Sequence, residues 1–196
     1  MKSSTIKTPT CAATFLIALG LASPGSAAPA AESVFTAYPV VRVVYYDVSG
    51  TTAQQVRASI NARGLVDPDD GARSDAYTTW RIVWSWPPGP SGSCGVSRAT
   101  ARFSATVTLP RLISRPQASA ALVKRWDRYF DGLLRHELGH VQRANAGLAR
   151  VIAAVRSSTC ETANSAGNAE IARLRREDDL YDRMTAHGRL QGAVFP

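Results

Sequence analysis

Apolar and polar positions change period several times along the chain, and each change predicts an element. Residues 39–48 (PVVRVVYYDV) are dense in Val and Tyr and predict a strand. Ser49-Gly50-Thr51-Thr52 supplies turn and cap chemistry. Ala53, Val56 and Ile60 then recur at helical spacing until Gly64. Residues 65–76 read as a polar loop. Over 77–86, Trp80, Ile82, Trp84 and Trp86 share one side of a second strand, stopped by Pro87-Pro88-Gly89-Pro90. Tryptophans sharing a strand face read as sheet core rather than an open aromatic platform. Residues 97–109 alternate throughout. Ala99, Ala101, Phe103, Ala105, Val107 and Leu109 face one way; Arg98, Thr100, Arg102, Ser104, Thr106 and Thr108 face the other. That predicts a strand with one wet face.

The period then lengthens. Trp126, Phe130, Leu133, Leu134, Val141, Leu148, Val151, Ile152 and Val155 mark the buried stripe of a long helix from about Ser119 to Ser157. A second helix is predicted from Thr162 to Met184. The tail beyond His187 ends in apolar Ala193-Val194-Phe195 and is expected to fold back onto the domain. There is neither an internal repeat nor a linker. The pattern predicts one α+β domain over 31–196.

Composition narrows the classes. Hydrophobic residues at 45% and charged residues at 19% exclude a disordered chain. No run reaches the roughly 18 apolar residues of a membrane-spanning helix. The net charge is +8, and the only lysines are Lys2, Lys7 and Lys124 among 23 basic residues. The arginines are scattered without a block, so no nucleic-acid partner is expected.

Residues 1–30 have the layout of a signal peptide. Lys2 and Lys7 open it, an apolar run follows over 11–22, and Ser23-Pro24-Gly25 and small residues close it. Cleavage is expected between Ala27 and Glu32, giving a secreted or periplasmic protein. Loss of Lys2 and Lys7 lowers the charge to +6. Cys11 leaves with this segment. Cys94 and Cys160 remain, and in an oxidising compartment they read as a disulfide.

The chemistry lies in the histidines. His136-Glu137-Leu138-Gly139-His140 falls inside the long predicted helix. Helical positions four apart differ by about 40° around the axis and about 6 Å along it, so both imidazoles can reach one metal ion. Glu137 points about 100° away, near the ion without binding it. This is the HExxH arrangement of two zinc ligands and a general base. A catalytic zinc keeps three protein ligands and an open position. His187, the remaining histidine, is the first choice for the third ligand. Glu177, Asp178, Asp179 and Asp182 are alternatives, or else form a solvated helix face with Arg175 and Arg176. Asp182 is also a candidate to orient a ligand histidine.

The sequence resembles the predicted secreted zinc-dependent proteases of bacteria, a domain of unknown function grouped with the HExxH metallopeptidases. The resemblance runs over nearly all of the chain after the signal. It is carried by YYDVSG (45–50), RHELGH (135–140), YDRMTAHG (181–188) and QGAVFP (191–196). It implies a zincin-like α+β fold, with a small twisted, mostly antiparallel sheet packed on the long helix and the C-terminal helix, zinc on His136 and His140, Glu137 as base, and a ligand role for His187 inside the matching C-terminal motif.

The implied function is peptide hydrolysis by a monomer acting on peptide or protein substrates. Tyr181 is a candidate oxyanion donor, or else a buried residue of the helix stripe beside Leu174. An edge strand, either 97–109 or 77–86, is expected to hold the substrate backbone. Two other readings stand beside this one. One is an exported binding or assembly factor stabilised by zinc, against which Glu137 argues, since a structural site needs no base. The other is a basic protein retained on anionic envelope polymers.

Overall fold

The computed structural model describes residues 33–196 except 39, 67–70 and 72. The expected signal segment lies outside the described residues. Strand β1 spans Val41–Val48 and helix α1 spans Ala53–Arg63. Thr52 caps α1 through its side chain, and Gln55 reaches back to complete a capping box. The expected loop contains a short antiparallel ribbon of β2 (Leu65–Val66) and β3 (Arg73–Ser74). Strand β4 (Tyr77–Ser85) and strand β5 (Thr100–Leu112) follow.

The main sheet has the order β1-β5-β4. Strand β4 runs antiparallel to β5, from Tyr77 opposite Thr108 to Ser85 opposite Thr100. Strand β1 runs parallel to β5, from Val41 opposite Ala105 to Val48 opposite Leu112. The sheet is therefore mixed, not mostly antiparallel. The reason is the connection. Helix α1 and the ribbon carry the chain away from β1, a crossover that parallel pairing requires. The alternation along β5 appears as expected, with Phe103, Ala105, Val107 and Leu109 buried.

Helix α2 (Ala120–Arg156) and helix α3 (Ala163–Thr185) form a hairpin. Ser119 caps α2 by accepting from the Leu122 N–H. The core fills the space between α1, the inner sheet face and α2, with Val56, Ile60, Val107, Leu109 and Val141 fully buried. The disulfide Cys94–Cys160 is present and ties the loop before β5 to the turn of the hairpin. Trp80 and Trp84 pack against the core, and each indole N–H reaches α3, at Asp178 and Asn164 respectively. The tail folds back. Phe195 is buried against Trp126 and Tyr129, and Arg57 donates to its carbonyl. Among the described residues no helix is long and apolar enough to cross a membrane.

Candidate metal centre

Helix α2 carries His136, Glu137 and His140, all buried, on the side that meets β4 and α3. Their burial is possible because each of the three side chains finds a polar partner. The two imidazole Nε2 atoms lie 3.2 Å apart. Asp182, in the last turns of α3, brings Oδ1 to 3.0 Å from His136 Nε2 and 3.2 Å from His140 Nε2. His136, His140 and Asp182 thus form a group that could hold a metal ion, with their ligand atoms within 4.8 Å of one another.

The donor set fits such an ion. Ligands about 2.0–2.1 Å from a tetrahedral zinc stand about 3.4 Å from each other, close to the spacing found here. The other ring nitrogens are engaged from outside. His140 Nδ1 lies 2.8 Å from Asp178 Oδ1, and His136 Nδ1 lies 3.0 Å from Gln191 Oε1. Each acceptor favours a proton on Nδ1 and leaves the Nε2 lone pair directed inward. Asp178 is itself fixed by the Trp80 indole, 2.9 Å away.

The electrostatics follow from this crowding. Burial pulls the His140 pKa down, but hydrogen bonds to Asp178 and Asp182 and the charge of Glu137 overcome it and push the pKa up to about 10. Burial also opposes ionisation of Asp182, yet hydrogen bonds from His136 and His140 hold its carboxyl below the usual range. Burial raises the pKa of Glu137, against the opposing pull of His140, His136 and a Thr78 hydrogen bond. Thr78 Oγ1 donates to Glu137 Oε2 at 2.6 Å.

His187 lies outside the group of three. Its Nδ1 is 4.0 Å from Asp182 Oδ1, and its side chain is 69% exposed in the cleft. Ala186, His187 and Gly188 all have left-handed backbone, with φ of 49°, 52° and 75°. This turn ends α3 and lays Gly188 flat against the His136 ring, where a Cβ would come to 2.9 Å from Cγ. Tyr181 also stacks on His136, with ring centroids 5.2 Å apart. Its hydroxyl packs on Gly139 and donates to the His136 carbonyl, while Gln191 Nε2 donates to it. Tyr181 supports the site from behind and is not among the residues lining the cleft. Of the acidic alternatives, Glu177 pairs with Arg150 and Asp179 lines the cleft without an ion pair among the described residues.

Thr78 and Gln191 are site residues that the sequence reading missed. Thr78 belongs to the inward-facing set of β4, two positions before Trp80, so the strand period carried its signal. The Gln191 contact depends on the left-handed turn, which no local pattern announces.

The cleft above the group has a volume of about 1090 Å³ and runs between β3–β4 on one side and α3 with the tail on the other. The family described as "Bacterial protein of unknown function (DUF922)" matches residues 43–188. The chain belongs to this family. The DUF922 match runs from within β1 to the end of the left-handed turn, so all three members of the metal group fall inside it, whereas Gln191 and Phe195 follow it. No curated protein and no solved structure matches the chain.

Proposed function

We propose that this protein is an exported zinc-dependent peptidase of zincin-like architecture. The observation that carries the reading is Glu137. It is 2% exposed, adjoins the His136–His140–Asp182 group, and stays outside that group with its own hydroxyl partner. A purely structural metal site would gain nothing from such a carboxylate, and burying it is costly. In this reading His136 Nε2, His140 Nε2 and Asp182 Oδ1 are the protein ligands of zinc. Bound there, zinc would supply Lewis acidity to a scissile carbonyl and lower the pKa of water.

The chain's own groups do the rest. Thr78 holds one carboxylate oxygen of Glu137, leaving the other to take a proton from water and deliver it to the departing amine. The pKa raised by burial brings Glu137 nearer to the working range of a base that must also act as acid. Asp178 and Gln191 fix the ligand rings. Tyr77, Thr78, Thr79 and Trp80 of β4 line the cleft, and β4 is an outer strand of its sheet. Its outer edge suits an extended peptide backbone. Strand β5 is unsuited to this because it lies between β1 and β4. The disulfide supports an oxidising destination outside the cytoplasm.

The test is hydrolysis of casein or a peptide library by the purified protein, with metal content measured alongside. Activity should disappear with a chelator and return with zinc. Glu137→Gln should keep the metal and lose about 10²–10⁴-fold in rate, the usual contribution of a general acid–base group. A Glu137→Gln protein as fast as wild type would overturn the reading.

A further inference from the structure

The charges around the cleft are unevenly committed. Among the acids that line it, Asp75 receives Arg57, with Nη1 at 2.9 Å from both carboxylate oxygens. Glu137 is held by Thr78, Asp178 is held between His140 and Trp80, and Asp182 belongs to the metal group. Of these described acids, Asp179 alone has neither an ion pair nor a side-chain hydrogen bond to a described residue. The arginines divide differently. Arg57 is engaged by Asp75 and the Phe195 carbonyl. Arg175, Arg183 and Arg189 line the cleft, are exposed, and meet no carboxylate among the described residues.

These three arginines share the α3 and tail wall. Arg175, Asp179 and Arg183 follow at steps of four, so they fall on one face of α3. Arg189 extends the row past the left-handed turn. With Asp178 and Asp182 paired to the histidines, three unpaired cations against one unpaired anion leave this wall positive beside the metal group. Guanidinium groups are weakly hydrated and present a planar fork matched to a carboxylate. A wall whose unpaired charges are mostly of one sign concentrates ligands of the other.

We infer that the cleft selects acidic peptides, with Asp or Glu side chains of the substrate pairing with Arg175, Arg183 and Arg189 while its backbone runs along β4. This substrate class rests on the peptidase reading above. Because the pairs are exposed, the preference is a sum of modest contacts and is weakened by salt.

The experiment uses two fluorogenic peptides of equal length that differ only in flanking Glu or Lys. Zinc-loaded protein should show about tenfold higher kcat/KM for the Glu peptide, from KM, with the difference lost at high salt. Reversing the wall with Arg175→Glu, Arg183→Glu and Arg189→Glu together should invert the preference at unchanged zinc content. The neutral triple Gln variant should abolish it. Reversing Arg81 and Arg102, exposed residues of β4 and β5 whose positions alternate with the buried inner face, should leave it intact. Binding of both peptides to zinc-loaded Glu137→Gln, read by fluorescence anisotropy, tests the same point without hydrolysis. Equal binding and equal cleavage of the two peptides would overturn the inference while leaving the peptidase reading standing. Selective binding of the Glu peptide with cleavage of neither would sink the peptidase reading and keep the acidic-peptide cleft. Binding of polyphosphate without binding of the Glu peptide would overturn the inference in favour of a non-peptide polyanion.

Discussion

Asp182 Oδ1 stands 3.0 Å from His136 Nε2, inside the same small volume that the HExxH pair encloses. His187, the remaining histidine, stands further out and exposed. The carboxylate therefore takes the third ligand position in the proposed centre. Asp182→Ala should lose zinc at equilibrium, whereas His187→Ala should retain full stoichiometry. Metal analysis of the two dialysed variants decides between them, and zinc loss confined to His187→Ala would restore that residue as the ligand.

Asp178 and Gln191 act one step behind the ligands. Each removes the freedom of one imidazole, so Asp178→Ala and Gln191→Ala should each weaken zinc binding by about 10–100-fold, the usual effect of losing such a partner. Asp178→Asn keeps an oxygen that can accept from Nδ1 and should lose less. Chelator competition gives the affinities directly. An unchanged affinity in both Ala variants would show that packing alone orients the rings.

The centre was partly legible in the sequence. The HExxH spacing marks His136 and His140, and the alternation of β4 and β5 marks the sheet that supports them. Asp178 and Asp182 stand four apart, the same step as the two histidines. In an antiparallel hairpin, one such step along α2 faces one such step along α3. The acidic residues at 177–179 hid this match, because Glu177 pairs with Arg150 away from the cleft, Asp179 is exposed, and a charge run usually marks a solvated surface. The position of His187 was not legible, since it depends on two non-glycine residues in left-handed backbone. Such conformations cost about 1–3 kcal/mol each and leave no local signature.

The metal-free centre should respond to pH in a defined direction. The folded pKa of His140 is raised from 6.5 to about 10, so its contribution to stability is complete below about pH 6.5 and is lost as pH rises through 10. Asp182 is shifted downward from 3.8, so its contribution is present above that value and is lost as pH falls below it. Stability of the apo protein from this pair should peak between about pH 4 and 6.5. Zinc requires neutral imidazoles, so binding should release a proton and strengthen as pH rises. Thermal melts with and without zinc across this range should show a growing metal-induced increase in Tm. An increment independent of pH would show that His140 is not protonated in the apo state.

The Cys94–Cys160 bond closes a loop with a sequence separation of 66. The chain-entropy model gives about 4 kcal/mol for a loop of that length. Reduction under native conditions should lower Tm markedly, with a mass increase of two hydrogens. Two thiols titrating freely in the untreated protein would refute the bond.

The order of synthesis has a bearing on when the centre becomes usable. Gln191 orients His136 and supports Tyr181, and Phe195 fills the aromatic cluster of Trp126 and Tyr129. These residues are translated after every proposed ligand. A nascent or truncated chain ending before Gln191 carries the metal-binding side chains without the contact that fixes His136. Completion of the proposed metal pocket is thereby deferred until the turn that carries Gln191 has been made and docked.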